Sequence, residues 1–221
     1  MLSKLRNSFK FVPPSLRLYK PSRGANNIPK TELSLPLLFG VGTISVYLGW
    51  KFLPYGKMVA NFTISENIWR EKFYHAVILA PFSFMTTGHL ALYFPFLLVG
   101  LHFNSKLIGN SRVMLLHLLT TVIAASTTYY YEKMYLNQKL MVPKCVGACS
   151  ALTQASCLFV LKPDLMLKSR FLPFGLILAV LIMHELNEYK MGYVNEISRP
   201  SHIASIGLGI VYGALMRRFL I

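Results

Sequence analysis

An all-α polytopic membrane protein, a bundle of six transmembrane helices with a long interfacial first loop, is the fold class predicted here. Three observations predict it. Hydrophobic residues make up 54% of the 221 positions and charged residues only 14%, with a mean hydropathy of +0.47. That leaves too little polar surface to cover a soluble domain of this size. Several stretches approach the roughly 20 apolar residues needed to cross about 30 Å of hydrocarbon. The basic residues also divide unevenly between the two sides that such spans define.

In chain order the spans fall at Ser34–Trp50, Gly88–Phe103, Ser111–Tyr131, Gly147–Leu161, Phe171–His184 and Ser201–Met216. The fourth and fifth are short for a full bilayer, so they tilt little, thin the membrane locally or lie inside the bundle. Lys51–Thr87 is the long connection and is itself half apolar, whereas Asn104–Asn110 and Lys162–Arg170 are tight. Within the long loop, Ile68–Phe73 and Ala76–Phe84, with the pair Trp69–Arg70, read as short helices in the membrane interface, where Trp and Tyr are favoured.

Charge sets the orientation. On the side of the N-terminus lie Lys4, Arg6, Lys10, Arg17, Lys20, Arg23, Lys30, Lys106, Arg112, Lys162, Lys168, Arg170, Arg217 and Arg218, 14 basic residues against Glu32 and Asp164. The other side holds 9 basic residues against 6 acidic ones. Since Lys and Arg are retained on the cytoplasmic or matrix face, both termini are expected there. The net charge of +15 is then mainly a topology signal. Nucleic-acid binding is disfavoured, because no soluble domain presents a basic face interleaved with aromatics.

Two units follow from composition: a basic arm over 1–33 and a membrane domain over 34–221. The first thirty residues carry no acidic residue and mix Ser and Arg with apolar side chains, as mitochondrial targeting segments do. A juxtamembrane arm binding anionic lipid is the alternative. Pro13, Pro14 and Pro21 rule out one long amphipathic helix across it.

Two segments, GACSALTQASCLFVL from Gly147 and PSHIASIGLGIVYG from Pro200, resemble the signatures of the rhomboid intramembrane proteases. That family carries G-x-S-G at the start of its fourth helix and A-H-x-x-G-x-x-x-G in its sixth, with the Ser and His forming a dyad. The resemblance sets Gly147 at the first glycine, Cys149 at the nucleophile, Ser150 at the second glycine and His202 at the base. Ser205 and Gly209 fall at the close-packing positions. LAPFSFMTTGHLALYF (79–94) and LIGNSRV (107–113) resemble two further family elements in the same order. KMVANFTISEN, APFSF and FLP are similar to the mitochondrial presenilin-associated rhomboid-like group. The likeness covers about Leu35–Ala214 and is degenerate at the motif residues.

That degeneracy bears on chemistry. The family's reaction needs a Ser hydroxyl activated by His and donors for an oxyanion. Here Cys149 stands for the Ser, Tyr93 for the Asn that would donate to the oxyanion, and Phe84 for an additional His, while His89 and His202 keep their places. Loss of one oxyanion donor typically costs about 10²–10³ in rate. Ser150 also crowds the turn, and as a substitute nucleophile it would point about 100° round the helix from the required direction. Cys149, His202, His89 and Tyr93 therefore read as vestigial catalytic positions of a pseudoprotease. A Cys149–His202 protease is the alternative, since a thiol in a wet, electropositive setting is a strong nucleophile.

The remaining candidates read as structure. Ser201, Ser205, Gly209 and Gly213 repeat every four residues and, with Gly147, suit close helix packing. Cys145, Cys149 and Cys157 have no metal-ligand spacing, and His75, His102, His117 and His184 form no i, i+4 pair. His102 and His117 are expected at span ends or in polar interior contacts. No metal or other cofactor is indicated. Asn61–Phe62–Thr63 is a glycosylation sequon that matters only in a lumenal setting. Together these readings imply a catalytically inactive structural or accessory subunit of a mitochondrial inner-membrane complex, with a respiratory complex, the ATP synthase or a translocase as hosts. A non-cleaving adaptor for transmembrane clients is the competing role. The expected partners are the bilayer and other membrane subunits, with a phospholipid as candidate occupant of the vestigial site.

Overall fold

The computed structural model describes residues 34–65, 67–135, 143–167, 175–183 and 199–220. The basic arm and, of the fifth predicted span, residues 171–174 with the FLP segment and residue 184 lie outside the described residues. Leu33–Ile221 forms one compact unit. Its described part is all-helical: α1 Leu35–Phe52, α2 Tyr55–Phe62, α3 Asn67–Arg70, α4 His75–Leu79, α5 Thr87–Ile108, α6 Asn110–Tyr130, α7 Gly147–Leu161, α8 Pro163–Leu167, α9 over 175–183 and α10 Arg199–Leu220. A 3₁₀ turn at Ala80–Phe82 follows α4, and a π turn at Tyr131–Tyr135 extends α6.

Among the described residues three helices are long and apolar enough to cross a membrane: α1, α5 and the run Asn110–Met134. α7 is apolar but shorter, at 15 residues. Many large side chains face outward, among them Leu37, Val41, Leu115, Val122 and Val211. An exterior of this kind suits lipid rather than water.

Local chemistry sets the helix ends. α5 begins where Thr86 accepts a hydrogen bond from the His89 amide through its side chain, an N-cap that starts the helix one residue before the predicted Gly88. It ends at Gly109, whose φ of 87° suits glycine and turns the chain directly into α6. The tight Asn104–Asn110 connection is thus one residue of turn, and the helix continues five residues past the predicted Phe103. In the long loop, hydropathy locates two helical pieces but misses α2, whose amphipathic pattern buries only Met58.

α7 sits at the centre. Every residue from Gly147 to Leu158 is buried, which only a helix apolar or small on all sides can sustain. α5, α6 and α10 pack around it. Gly100 of α5 faces Gln154, where a Cβ would come within 2.6 Å of the Gln154 Cβ. Gly209 and Gly213 of α10 lie against α7: added Cβ atoms would meet the carbonyl oxygens of Thr153 at 2.5 Å and Cys157 at 2.9 Å. Small residues let these backbones approach as larger ones could not. The same contacts bring the C-terminal ends of α5, α7 and α10 to one end of the bundle. The start of α6 joins them there, since the Tyr212 hydroxyl donates to the Arg112 carbonyl.

Candidate functional site

The motif residues converge at the other end of α7. Cys149 is the third residue of that helix, and Ser201 and His202 lie in the first turn of α10. Close α7–α10 packing brings the two turns together although they are some 50 residues apart in sequence. The Cys149 thiol is completely enclosed, and its Sγ lies 3.5 Å from the Ser201 Oγ. His202 is equally buried, and its ring centroid stands 5.9 Å from that of Tyr93 and 6.3 Å from that of His89. Tyr93 and His89 meet edge to face at 5.3 Å. The three rings form a cluster between the first turns of α5 and α10, while the apolar neighbours of Cys149 include Ile64, Ile68, Ala76 and Ala124.

A working nucleophile needs a general base at hydrogen-bond distance and a space for the reacting carbonyl. Cys149 has a hydroxyl as its neighbour, which is not a base, and Tyr93 is among the largest fully buried side chains. Among the described residues one cavity lies between α1 and α5 and another between α7, α9 and α10.

Gly147 opens α7 under a tight lid. Its amide donates to the Ser83 carbonyl, and a Cβ there would come within 2.5 Å of the Phe84 ring and 2.6 Å of that carbonyl. Phe84 is buried and packs from the long loop over the first residue of α7. Ser150, also buried, hydrogen-bonds through its amide to the Val146 carbonyl. Ser205 is buried, and its carbonyl accepts from the Thr153 hydroxyl at 3.0 Å, a further stitch between α7 and α10.

Three features escaped sequence reasoning. The first is a buried ion pair, Lys144 Nζ to Glu132 at 3.1 Å, with both side chains at most 5% exposed. Both fall between the predicted spans Ser111–Tyr131 and Gly147–Leu161, where sequence gives no sign of burial. Lys144 also pairs with Ile64 in a short antiparallel bridge, so the long first loop is tied to the entry of α7. The second is a chain of polar contacts from the Trp50 indole to the Ser83 hydroxyl (2.9 Å) and on to the Cys145 sulfur (3.3 Å). The third is the Asn104 amide, which donates to both the backbone and side-chain oxygens of Gln154 at 2.9 Å within the α5–α7 interface. A polar residue inside an apolar span was the available signal for Asn104. Nothing in the sequence paired it with Gln154.

The histidines separate. His102 is exposed near the end of α5, while His117 is buried on α6 with its ring 4.5 Å from Phe39 and 5.7 Å from Phe82. Among the described residues no group of three His, Cys, Asp or Glu side chains could hold a metal ion. The sequon side chain is engaged at both ends: Asn61 donates to the Lys57 carbonyl and shares a hydrogen bond with His75, each at 2.7 Å.

No family model, curated protein or solved structure matches the chain.

Proposed function

We propose that this chain is a catalytically silent, rhomboid-like six-span protein serving as a structural or accessory subunit of a mitochondrial inner-membrane complex. One observation carries the silent reading. The thiol at the nucleophile position is enclosed and faces the Ser201 hydroxyl, while the imidazole of the next residue, His202, is packed near Tyr93 and His89. A reactive pair needs the opposite arrangement, with thiol on imidazole and a wet cleft. Retention of the small residues that hold α10 on α7 favours a role in which architecture matters and reactivity does not. The mitochondrial setting, with termini toward the matrix, is supported by the acid-free basic arm and by the uneven division of Lys and Arg. An Asn61 side chain already bonded at both ends fits a sequon that is never used.

Native purification from membranes in mild detergent, with mass spectrometry of comigrating chains, tests the role. A fixed-ratio set of membrane subunits is expected. A lone chain, or transient clients in variable amounts, overturns the subunit reading in favour of a client adaptor. Cleavage of a transmembrane substrate that disappears in Cys149→Ala establishes a protease instead.

A further inference from the structure

The α1–α5 flank carries an apolar groove that the proposed role does not use. Its cavity volume is about 640 Å³, and Gly40, Val41, Ile44, Phe94, Leu98 and Phe103 line it. Gly40 forms part of the floor: a Cβ there would just touch Leu98 at 3.4 Å and Phe94 at 3.8 Å. The groove runs along α1 from Pro36 to Ser45. At 1.5 Å per residue this is about 14 Å, close to half of a hydrocarbon core of about 30 Å.

That length decides the occupant. A partner transmembrane helix crosses both leaflets and needs a seat along the whole of α1. An acyl chain belongs to one leaflet, and the groove is one leaflet deep. Its position along the helices adds a second constraint. Most lining residues come from the N-terminal half of α1 and the C-terminal half of α5, so the groove opens toward the end of the bundle where α5 finishes. His102 stands at that rim, exposed, and Lys106 follows one turn later on the same face of α5, also exposed. No acidic residue occurs between Leu33 and Ser65, nor between Lys72 and Tyr131, so nothing on α1, α5 or α6 offsets the lysine. An apolar slot under a cationic rim matches an anionic headgroup on an acyl chain.

We propose that this groove binds one anionic phospholipid, an acyl chain lying against Gly40 and Val41 and the phosphate at Lys106. The site rests on α1 and α5 spanning a bilayer and is independent of whether Cys149 is silent or which complex hosts the chain.

Native mass spectrometry of the full chain in mild detergent, titrated with dioleoyl phosphatidylglycerol or dioleoyl phosphatidylcholine, tests the site. One tightly retained phosphatidylglycerol is expected, with phosphatidylcholine retained at least about fivefold more weakly, in keeping with one nearby lysine. Val41→Trp fills the groove at a position that is 59% exposed, so folding is preserved and retention of both lipids falls. Lys106→Gln removes the preference between headgroups while the groove still takes either lipid. Equal retention of the two lipids by the unaltered chain overturns the headgroup assignment. Retention unchanged in Val41→Trp overturns the site. A membrane protein copurifying with the unaltered chain but lost from Val41→Trp overturns the lipid occupant in favour of a partner helix.

Discussion

The two flanks of the bundle are built by opposite rules. Around α7 the helices approach until no methyl group fits: added Cβ atoms at Gly100, Gly147, Gly209 and Gly213 would lie within 2.9 Å of neighbouring atoms. Along α1 the equivalent atom at Gly40 would sit at ordinary contact distance, and a cavity opens beside it. The interior of the first flank is polar, with Asn104 on Gln154, Thr153 on the Ser205 carbonyl and Cys149 on Ser201. The second is greasy and open. In lipid, apolar side chains gain little by leaving the solvent, so close backbone packing and interhelical hydrogen bonds hold helices together. On the second flank the Tyr47–Thr87 and Trp50–Ser83 hydrogen bonds lie toward the far end of α1, and the Pro36–Ser45 stretch is left for a ligand or neighbour to cover.

Four substitutions sharpen or break this contrast. The largest effect is expected from Lys144→Met, which removes the cation 3.1 Å from the buried Glu132 carboxylate at the entry to α7. A loss of about 3–5 kcal/mol is expected, recovered in large part by adding Glu132→Met. A double variant no more stable than the single one would show that the ion pair is not the anchor. Next comes Gly209→Ala, where the new methyl meets a backbone carbonyl that cannot turn aside. A cost of about 3 kcal/mol, read as a lower unfolding temperature in mild detergent, follows from overpacking. An unchanged midpoint would mean that α10 can slide on α7 and that the seam is not tight.

Asn104→Leu removes two hydrogen bonds and strands the polar atoms of Gln154. A loss of about 1–3 kcal/mol is expected, and Gln154→Leu in the same chain should restore part of it. Smallest, and opposite in sign, is Gly40→Ala on the loose flank. With room for the methyl and a glycine removed from a helix, a gain of about 0.5–1 kcal/mol is expected. A marked destabilisation there would erase the distinction between the flanks.

Helix positions were largely legible before the structure. α7 matches the predicted Gly147–Leu161 residue for residue, and α1 and α6 differ from prediction by one or two residues at each end. α5 was underestimated because the stretch after Phe103 includes Asn104, Ser105 and Lys106, which lower hydropathy without stopping a helix. Its end is set by Gly109. The four-residue spacing of Ser201, Ser205, Gly209 and Gly213 marked a packing face, and Gly209 and Gly213 lie against α7. The site was legible as a set of positions but not as an arrangement. Motif spacing brings out Cys149 and His202, but not that Ser201, the residue before His202, lies 3.5 Å from the thiol. One residue along a helix is about 100° of rotation, and no spacing rule fixes how α10 is turned about its axis.

By itself, then, the sequence determined an all-helical chain with apolar spans, a basic arm, an asymmetric distribution of cations and one stripe of small residues. Each depends on residues close together in the chain, where hydropathy, capping and spacing act directly. Tertiary structure alone decided that Glu132 and Lys144 are buried together, that Asn104 meets Gln154, that Tyr93 packs on His202, and that α1 stands off from α5 over one leaflet's depth. Apart from the Glu132–Lys144 pair, these join residues some 50 or more positions apart, and all of them depend on the rotation and register with which finished elements dock.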